Sequence, residues 1–519
     1  MLRYTAILFI FLSSSICAQI EKTGTPLTWG VEPGAITPSI WRTLPEFDVL
    51  SLLSQDDADQ AIKTLPYRFA ISTPVNYNLS NCGRWTTLNN GDRIWALGLS
   101  SEQALSLNVI FKTLNIPAGA RLYIYSEDQS DYIGPLTSRN NCFNSEFPTL
   151  PMAGGEVIIE YFEPFAVRGQ GEIQIDNIAQ GYKTLSVPQF NEFSCFEEFP
   201  TNANEQLLSL KSSSILMLVD GGQRVATGNL VNNTIGDGEP LLLTASTALI
   251  GNPDSWVFVV NNSVSCEPST VGLGFKCWDN ALSGAEVLVE NQETGLALLQ
   301  VKELPKTSWG VYLSGWNKST PSVDHYFTIQ HAFGRRQSVS EYAGGLNTLT
   351  WEGLTVAPVA QWDEGNTFVG SLGSPIFNAE GMLCGALVGG NSKCNGEGSD
   401  YFGLLANAWT DFAPFLNPSG VDKVETQGFF PIFYEEATEK NDVIEVHLFP
   451  NPAQGFVYIQ NETDNSVLSV SLIDMSGRKV SVYHPELPYL DVSSLPNGVY
   501  QVQINLQNQV IQKKLVVRH

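Results

Sequence analysis

From about residue 25 onward the sequence is built of short β-type apolar runs, such as Ile94-Trp95-Ala96-Leu97, Leu122-Tyr123-Ile124-Tyr125 and Val157-Ile158-Ile159-Glu160-Tyr161. Turn signals such as Asn89-Asn90-Gly91-Asp92 and Pro117-Ala118-Gly119 set them apart. Runs this short, bounded by residues that bend the chain, read as strands rather than helices. With 44 Gly and 28 Pro, 43% hydrophobic residues and 11% aromatics, the chain is expected to be a mainly β, globular protein. Its 519 residues exceed one ordinary domain, and roughly 150 residues per domain suggests three or four.

Charge narrows the partners. The 28 Lys+Arg stand against 53 Asp+Glu, a net charge of -25, which repels the phosphates that dominate nucleic-acid affinity. No nucleic-acid partner is expected; a solvated acidic surface suits an exported protein. The first residues fit export: Arg3, the apolar run Ala6-Ile7-Leu8-Phe9-Ile10-Phe11-Leu12, a serine cluster and Ala18 before Gln19 form a signal-peptide layout over residues 1–18. Cys17 would suit a lipoprotein, but Ile16 is bulky where a small residue is needed, so cleavage after Ala18 is expected. The apolar run is shorter than the roughly 20 residues of a spanning helix, and no membrane span is expected.

Seven cysteines remain beyond the leader, and in an oxidising compartment most should pair. Cys384, inside Met382-Leu383-Cys384-Gly385-Ala386-Leu387-Val388, reads as a buried free thiol on a strand. Six cysteines allow fifteen connectivities; the pairing taken is Cys82 with Cys142, Cys266 with Cys277, and Cys195 with Cys394.

Four segments follow the leader. Residues 25–190 read as a β-sandwich, and 195–416 continue in short strands up to an apolar-periodic stretch, Tyr401 to Phe415, that reads as a closing helix. Residues 417–445, which include Glu435-Glu436-Ala437-Thr438-Glu439-Lys440, read as a linker. Residues 446–519 alternate strands with Ser-Gly and Asn-Gly turns, in Leu472-Ile473-Asp474-Met475-Ser476-Gly477-Arg478-Lys479-Val480 and Leu495-Pro496-Asn497-Gly498-Val499-Tyr500, and form a small Ig-like sandwich. With Phe449-Pro450-Asn451-Pro452 before and Lys513-Lys514-Leu515-Val516-Val517 after, this last segment resembles the type A C-terminal sorting domain of the type IX secretion system. The resemblance implies that the secretion machinery is its partner and the cell surface or medium its destination; an ordinary Ig-like adhesion module is the other reading.

A serine protease needs a nucleophilic hydroxyl, an imidazole to take its proton, a carboxylate to orient the imidazole and backbone N–H groups for the oxyanion. The stretch Gly370-Ser371-Leu372-Gly373-Ser374-Pro375 runs on through Val388-Gly389-Gly390, Cys394 and Ser399-Asp400-Tyr401-Phe402-Gly403. It resembles the surroundings of the active serine in lysyl endopeptidases, which read Gly-Ser-Ser-Gly-Ser-Pro, then Gly-Gly, Cys and Ser-Asp-x-x-Gly. Likewise Leu241-Leu242-Leu243-Thr244-Ala245-Ser246-Thr247-Ala248 resembles the family's Leu-Thr-Ala-x-His, and Gly295-Leu296-Ala297-Leu298-Leu299 its Asp-Phe-x-Leu-Leu strand.

The resemblance implies a chymotrypsin-like double β-barrel over 195–416, preceded by a jelly-roll-like sandwich. It places Leu372 on the nucleophile, Thr247 on the base and Gly295 on the orienting acid. Three frameworks kept, each altered at its reactive residue, imply a secreted, catalytically inactive homologue that binds a peptide or surface ligand through the old substrate cleft. Losing the whole catalytic unit removes about 10⁶ in turnover, on the order of 8 kcal/mol of barrier.

Ser371 and Ser374 read as turn hydroxyls, and His331 as a structural ring. Gly370, with the Leu372 N–H, retains the backbone of an oxyanion nest, and Ser374 and Asp400 are substrate-binding candidates. Asp400 matches the acid that recognises a lysine side chain in the family, and equally suits an acid capping the loop before the closing helix. Val388 stands where lysine-specific members have histidine. Two rivals remain: a lysine-preferring hydrolase with a displaced nucleophile, and adhesion or carbohydrate binding by the N-terminal sandwich. No metal or phosphate-binding motif occurs, and no cofactor is expected.

Overall fold

The structure, a computed structural model, describes residues 20, 22, 24–30, 40–59, 62–141, 146–184, 195–260, 280–319, 325–432, 446–461, 467–474, 478–483, 489–506 and 510–519. The expected signal peptide, and Cys142, Cys266 and Cys277, lie outside them.

Short strands, the central ones buried along nearly their whole length, fold the N-terminal region into two facing sheets. One runs Trp41–Thr43, Arg93–Ser100, Glu156–Glu163, Arg121–Ser126, Tyr132–Leu136, with Arg84–Thr87 beside the second of these. The other runs Met152–Ala153, Ser106–Asn115, Glu172–Gly181, Ala70–Asn78. Trp95, Phe111, Tyr161 and Ile175 fill the space between them. The same core takes in Leu216, Leu218, Val225, Val257 and Val259, which belong to the next region. The sandwich and its neighbour therefore share one apolar interior, because inward-facing strand residues of both lack any other cover.

The central region opens with a closed barrel. Ser214–Val219, Arg224–Val231, Leu241–Ala245 and Leu296–Val301 pair in that order. The ring is completed by Ala285–Asn291 and Ala281–Ser283, two halves of one strand bent at Gly284, and by Val257–Val259. The strand Tyr67–Arg68, from the N-terminal region, adds to this sheet against Val225 and Arg224. A second sheet runs Ser338–Tyr342, Tyr326–Gln330, Pro375–Asn378, Leu383–Gly390, Asp400–Leu404, Leu354–Val359, Leu349–Trp351.

The closing helix spans Leu405–Leu416 and buries Leu405, Ala408, Phe412 and Leu416 along one face. It begins later than the sequence suggested. Asp400–Leu404 is a strand with hydrogen-bonded neighbours on both sides, and that pairing overrides the local helical period.

The expected linker is also shorter. Glu425–Thr426 pairs with Trp316–Asn317, and Leu313 exchanges backbone hydrogen bonds with Phe429, so residues up to 432 stay on the second barrel. Beyond them, the C-terminal segment forms sheets of three and four strands around its own core of Val457, Val470, Leu472, Leu490, Val502, Ile504 and Leu515. Tyr500 donates from its hydroxyl to Pro496 O at 2.8 Å, pinning the corner before its strand.

Cys195 and Cys394 are bonded, with Cα atoms 5.4 Å apart, and Cys384 is a buried free thiol. Cys82 departs from the expected pairing: its thiol is free, buried beside Trp95, and donates to Asn78 O at 3.5 Å. Inside an apolar core its sulfur is a small hydrophobe rather than a cross-link.

The Cys195–Cys394 bridge closes a loop with a sequence separation of 199. Chain-entropy arguments give about 5 kcal/mol as the upper range for such a closure. Cys195→Ser with Cys394→Ser should therefore lower unfolding free energy by several kcal/mol in denaturant titration, with the far-UV spectrum of the native state unchanged.

Candidate functional site

Where the two barrels face each other, the turn 370–374 of the second is clamped by Thr227 of the first. Thr227 N donates to Leu372 O at 2.8 Å and its hydroxyl to Gly370 O at 3.0 Å. Only glycine fits at 373, since a Cβ there would meet Thr244 Oγ1 at 2.1 Å and Thr227 O at 2.2 Å. The N–H groups of Ser371, Gly373 and Ser374 go to Phe368 O, Leu387 O and Ser371 O. Those of Gly370 and Leu372 donate to no acceptor among the described residues.

The three positions aligned with a triad sit on elements that meet here. Leu372 is 1% exposed and belongs to the barrel core with Ala245, Leu296 and Val388. Thr247 is exposed in the turn Ser246–Ala248, whose Ser246 N donates to Gly295 O at 2.8 Å. Gly295 is buried with φ 71°, and a Cβ on it would lie 3.0 Å from Leu354 Cδ1 and 3.3 Å from Val388 Cγ1. An acidic side chain at this position meets both an unfavourable backbone and occupied space.

The hydroxyls and imidazoles nearby have other partners. Ser371 donates to Gln330 Oε1 and accepts from Phe368 N at 3.2 Å, while Ser374 accepts from the Thr328 hydroxyl at 3.1 Å. His331 donates from Nδ1 to Arg335 O at 2.8 Å, and its Nε2 lies 3.4 Å from Ser214 O. Burial holds this ring well below its usual range, at about 4. His325, half exposed, lies 3.8 Å from Glu341.

Asp400 is the best-supplied acid in the region. Its Oδ2 accepts from the Trp362 indole at 2.7 Å and from the hydroxyls of Thr367 and Ser392 at 2.6 Å each. Its Oδ1 faces the ammonium of Lys63 at 2.7 Å, with the two side chains 0% and 6% exposed. Lys63 also donates to Thr367 Oγ1 at 2.8 Å, Ser392 Oγ at 2.9 Å and Thr367 O at 3.1 Å. Burial pushes the Lys63 ammonium below its ordinary range, against the opposing pull of Asp400.

Lys63 comes from the N-terminal region. Helix Val49–Asp59 precedes it, with Ser51 N capped by Asp48 Oδ1 at 3.1 Å, and the buried Asp56 ties that helix to Arg68, Tyr182 and Lys183. Past Lys63, Pro66 O accepts from Arg224 Nη1 at 3.0 Å. Of the expected binding residues, the structure places Gly370 and Ser374 in the turn, Ser374 against the Thr328 hydroxyl, and Asp400 in a separate polar pocket. Lys63, Trp362, Thr367 and Ser392 were not anticipated. Their residue types carry no spacing signal, and the signal available was an acid in an apolar stretch that needed a cation from elsewhere.

Residues 191–403 match the family model "Lysyl endopeptidase, C-terminal domain". The central region is therefore similar to the C-terminal domain of lysyl endopeptidases. Residues 447–518 match the model "Secretion system C-terminal sorting domain", and this tail marks the protein for the cell surface or the extracellular space. Loose likenesses are found among solved serine proteases. The MamO protease domain of Magnetospirillum magneticum is 15% identical, with 39% of this chain and 96% of that one covered at a TM-score of 0.26. The thermostable serine protease AL20 of an extremophilic microorganism is 12% identical, covering 41% and 99% at 0.29. The HtrA-type protease AlgW, solved with a tripeptide, is 11% identical, covering 60% and 95% at 0.29.

Two outcomes follow for this domain. Asp400→Ala should destabilise it by about 3–5 kcal/mol, because it strands the Lys63 ammonium without a counter-charge; chemical denaturation measures this. His331 protonates at 6.5 when unfolded and only near about 4 when folded. Stability is therefore full above pH 6.5 and falls between pH 6.5 and 4, by up to about 3 kcal/mol. Urea unfolding at pH 7 and pH 4 should show that slope in the parent and a weaker one in His331→Asn.

Proposed function

We propose that the lysyl endopeptidase-type domain no longer cuts peptides and serves as a secreted binding protein, for extended peptides or a surface partner, through its former substrate cleft. The observation that carries this reading is the convergence of Thr247, Gly295 and Leu372 on the elements where a triad would stand. A side chain at Gly295 would be strained at φ 71° and tight against Leu354 and Val388, Leu372 is packed into apolar surroundings, and Thr247 offers no imidazole. The serine hydroxyls at 371 and 374 are hydrogen-bonded to Gln330 and Thr328, while both ring nitrogens of His331 face backbone carbonyls, of Arg335 and Ser214. A displaced nucleophile would need a base within about 3.2 Å. The Gly370 and Leu372 N–H groups, which donate to no acceptor among the described residues, and the buried Asp400 support the binding reading.

Incubated with a lysyl ester and a lysyl anilide at neutral pH, the purified protein should release product no faster than buffer. Turnover abolished by a serine-reactive phosphonate would overturn the reading. Leu372→Ser should remain inactive and lose about 3 kcal/mol of stability, since it trades a buried leucine for a cavity and an added hydroxyl.

A further inference from the structure

A cavity of about 160 Å³ in the central region shares no lining residue with the triad positions or with the shell of Asp400. Three cations line it, Lys211, Arg335 and Arg336, against one acid, Glu198. Glu198 neutralises little, since it lies 3.8 Å from Arg335 and its side chain is 69% exposed. Lys211 pairs with no carboxylate among the described residues; its ammonium sits over the Phe199 ring at 4.7 Å, as the Arg335 guanidinium sits over Phe196 at 5.8 Å. Burial holds Lys211 below its ordinary range, and the like charge of Arg336 adds to the effect. In a chain of net charge -25 this corner reverses the sign, and it attracts an anion.

Three separate pieces of chain build the corner. Helix Glu205–Lys211 ends on Lys211. Two successive left-handed residues, Phe333 at φ 56° and Gly334 at φ 71°, turn the chain after His331 and bring Arg335 and Arg336 to the cavity. The Cys195–Cys394 bridge and a hydrogen bond from Phe199 N to Gln337 O at 3.3 Å fix the segment that carries Phe196 and Phe199, which with Leu208, 47% exposed, give the wall its apolar part. Gln337 lines the cavity too and is 3% exposed. Its Nε2 faces the carbonyls of Lys211 and Ser214 at 3.5 Å each, and its Oε1 has no partner among the described residues. A buried acceptor left open is unfavourable until a donor reaches it.

Clustered cations, an apolar wall and an open acceptor call for a ligand with an anion, an apolar group and an N–H close together. The last residue of a peptide carries all three, whereas inorganic phosphate has no apolar arm and an acidic side chain has no apolar neighbour of its own. We propose that Lys211, Arg335, Arg336 and Gln337, with the apolar wall beside them, form a capture site for the free C-terminus of a peptide whose last residue is apolar. The guanidinium forks and the ammonium take the carboxylate, Gln337 Oε1 takes the last N–H, and a cavity of this size accepts one small apolar side chain. The site lies outside the substrate cleft and stands whether or not the domain cuts peptides.

The test titrates the full-length protein by calorimetry with acetyl-Ala-Ala-Val as the free acid and as its C-terminal amide. Neither probe contains lysine, so a failure of the inactive reading would leave this result untouched. The acid should bind saturably, about tenfold or more tighter than the amide, and should weaken as salt rises. Lys211→Met, which keeps its stem over Phe199, and Arg336→Gln should each lose about tenfold or more in affinity for the acid while melting as folded proteins. No saturable binding of the acid, equal affinity for acid and amide, or undiminished affinity in the folded variants overturns the proposal. Displacement of the acid by inorganic phosphate at equal concentration also overturns it, by marking a general anion site. The acid and amide comparison on the parent decides the matter should neither variant fold.

Discussion

A buried carboxylate in an apolar interior must find its counter-charge and its donors nearby, and Asp400 recruits both from distant parts of the chain. Desolvating one such ion costs several kcal/mol, and only a well-made partner shell offsets it. Here that shell is a lysine from the N-terminal region and an indole and two hydroxyls from loops of the second barrel. The position of helix Val49–Asp59, the turn after it and the added strand Tyr67–Arg68 all conform to this demand. The N-terminal region is thereby fastened to the site as well as to the barrel wall.

The turn 370–374 and its surroundings are organised by the opposite physics. Leu372 and Val388 bring apolar surface where a nucleophile and a pocket-edge histidine stand in the resembled family, and Gly295 closes up against Val388 and Leu354. The turn that would present a nucleophile keeps its backbone because Thr227 and Gly373 define it, independent of what side chain position 372 carries. Framework and chemistry are separable in this loop: one is written in carbonyl and amide contacts, the other in three side chains.

Much of this was legible in the sequence. Strand runs and turn residues marked the mainly β class and the resemblance supplied the barrels, while Cys195–Cys394, one of the pairings taken from fifteen, is bonded and the apolar strand around Cys384 marked a buried thiol. The parts that escaped depend on pairing across long distances. Tyr401 to Leu404 has helical periodicity, yet lies between two strands. Residues 425–429 look like tether, yet add to a sheet edge. Cys82 looks like half of a bridge because composition cannot see the core it sits in. Lys63, in an unremarkable Ile-Lys-Thr-Leu-Pro stretch, acquires meaning only once Asp400 is opposite it.

The apolar interior common to the sandwich and the first barrel has a consequence for the chain as a material object. Cutting the connection between residues 184 and 195 would free a peptide end without freeing a module, because Leu216, Leu218, Val225 and Val257 share one apolar core with Phe111 and Ile175. The sorting tail has a core of its own. The sandwich and the first barrel are therefore one body, held together across their seam by packing rather than by the backbone.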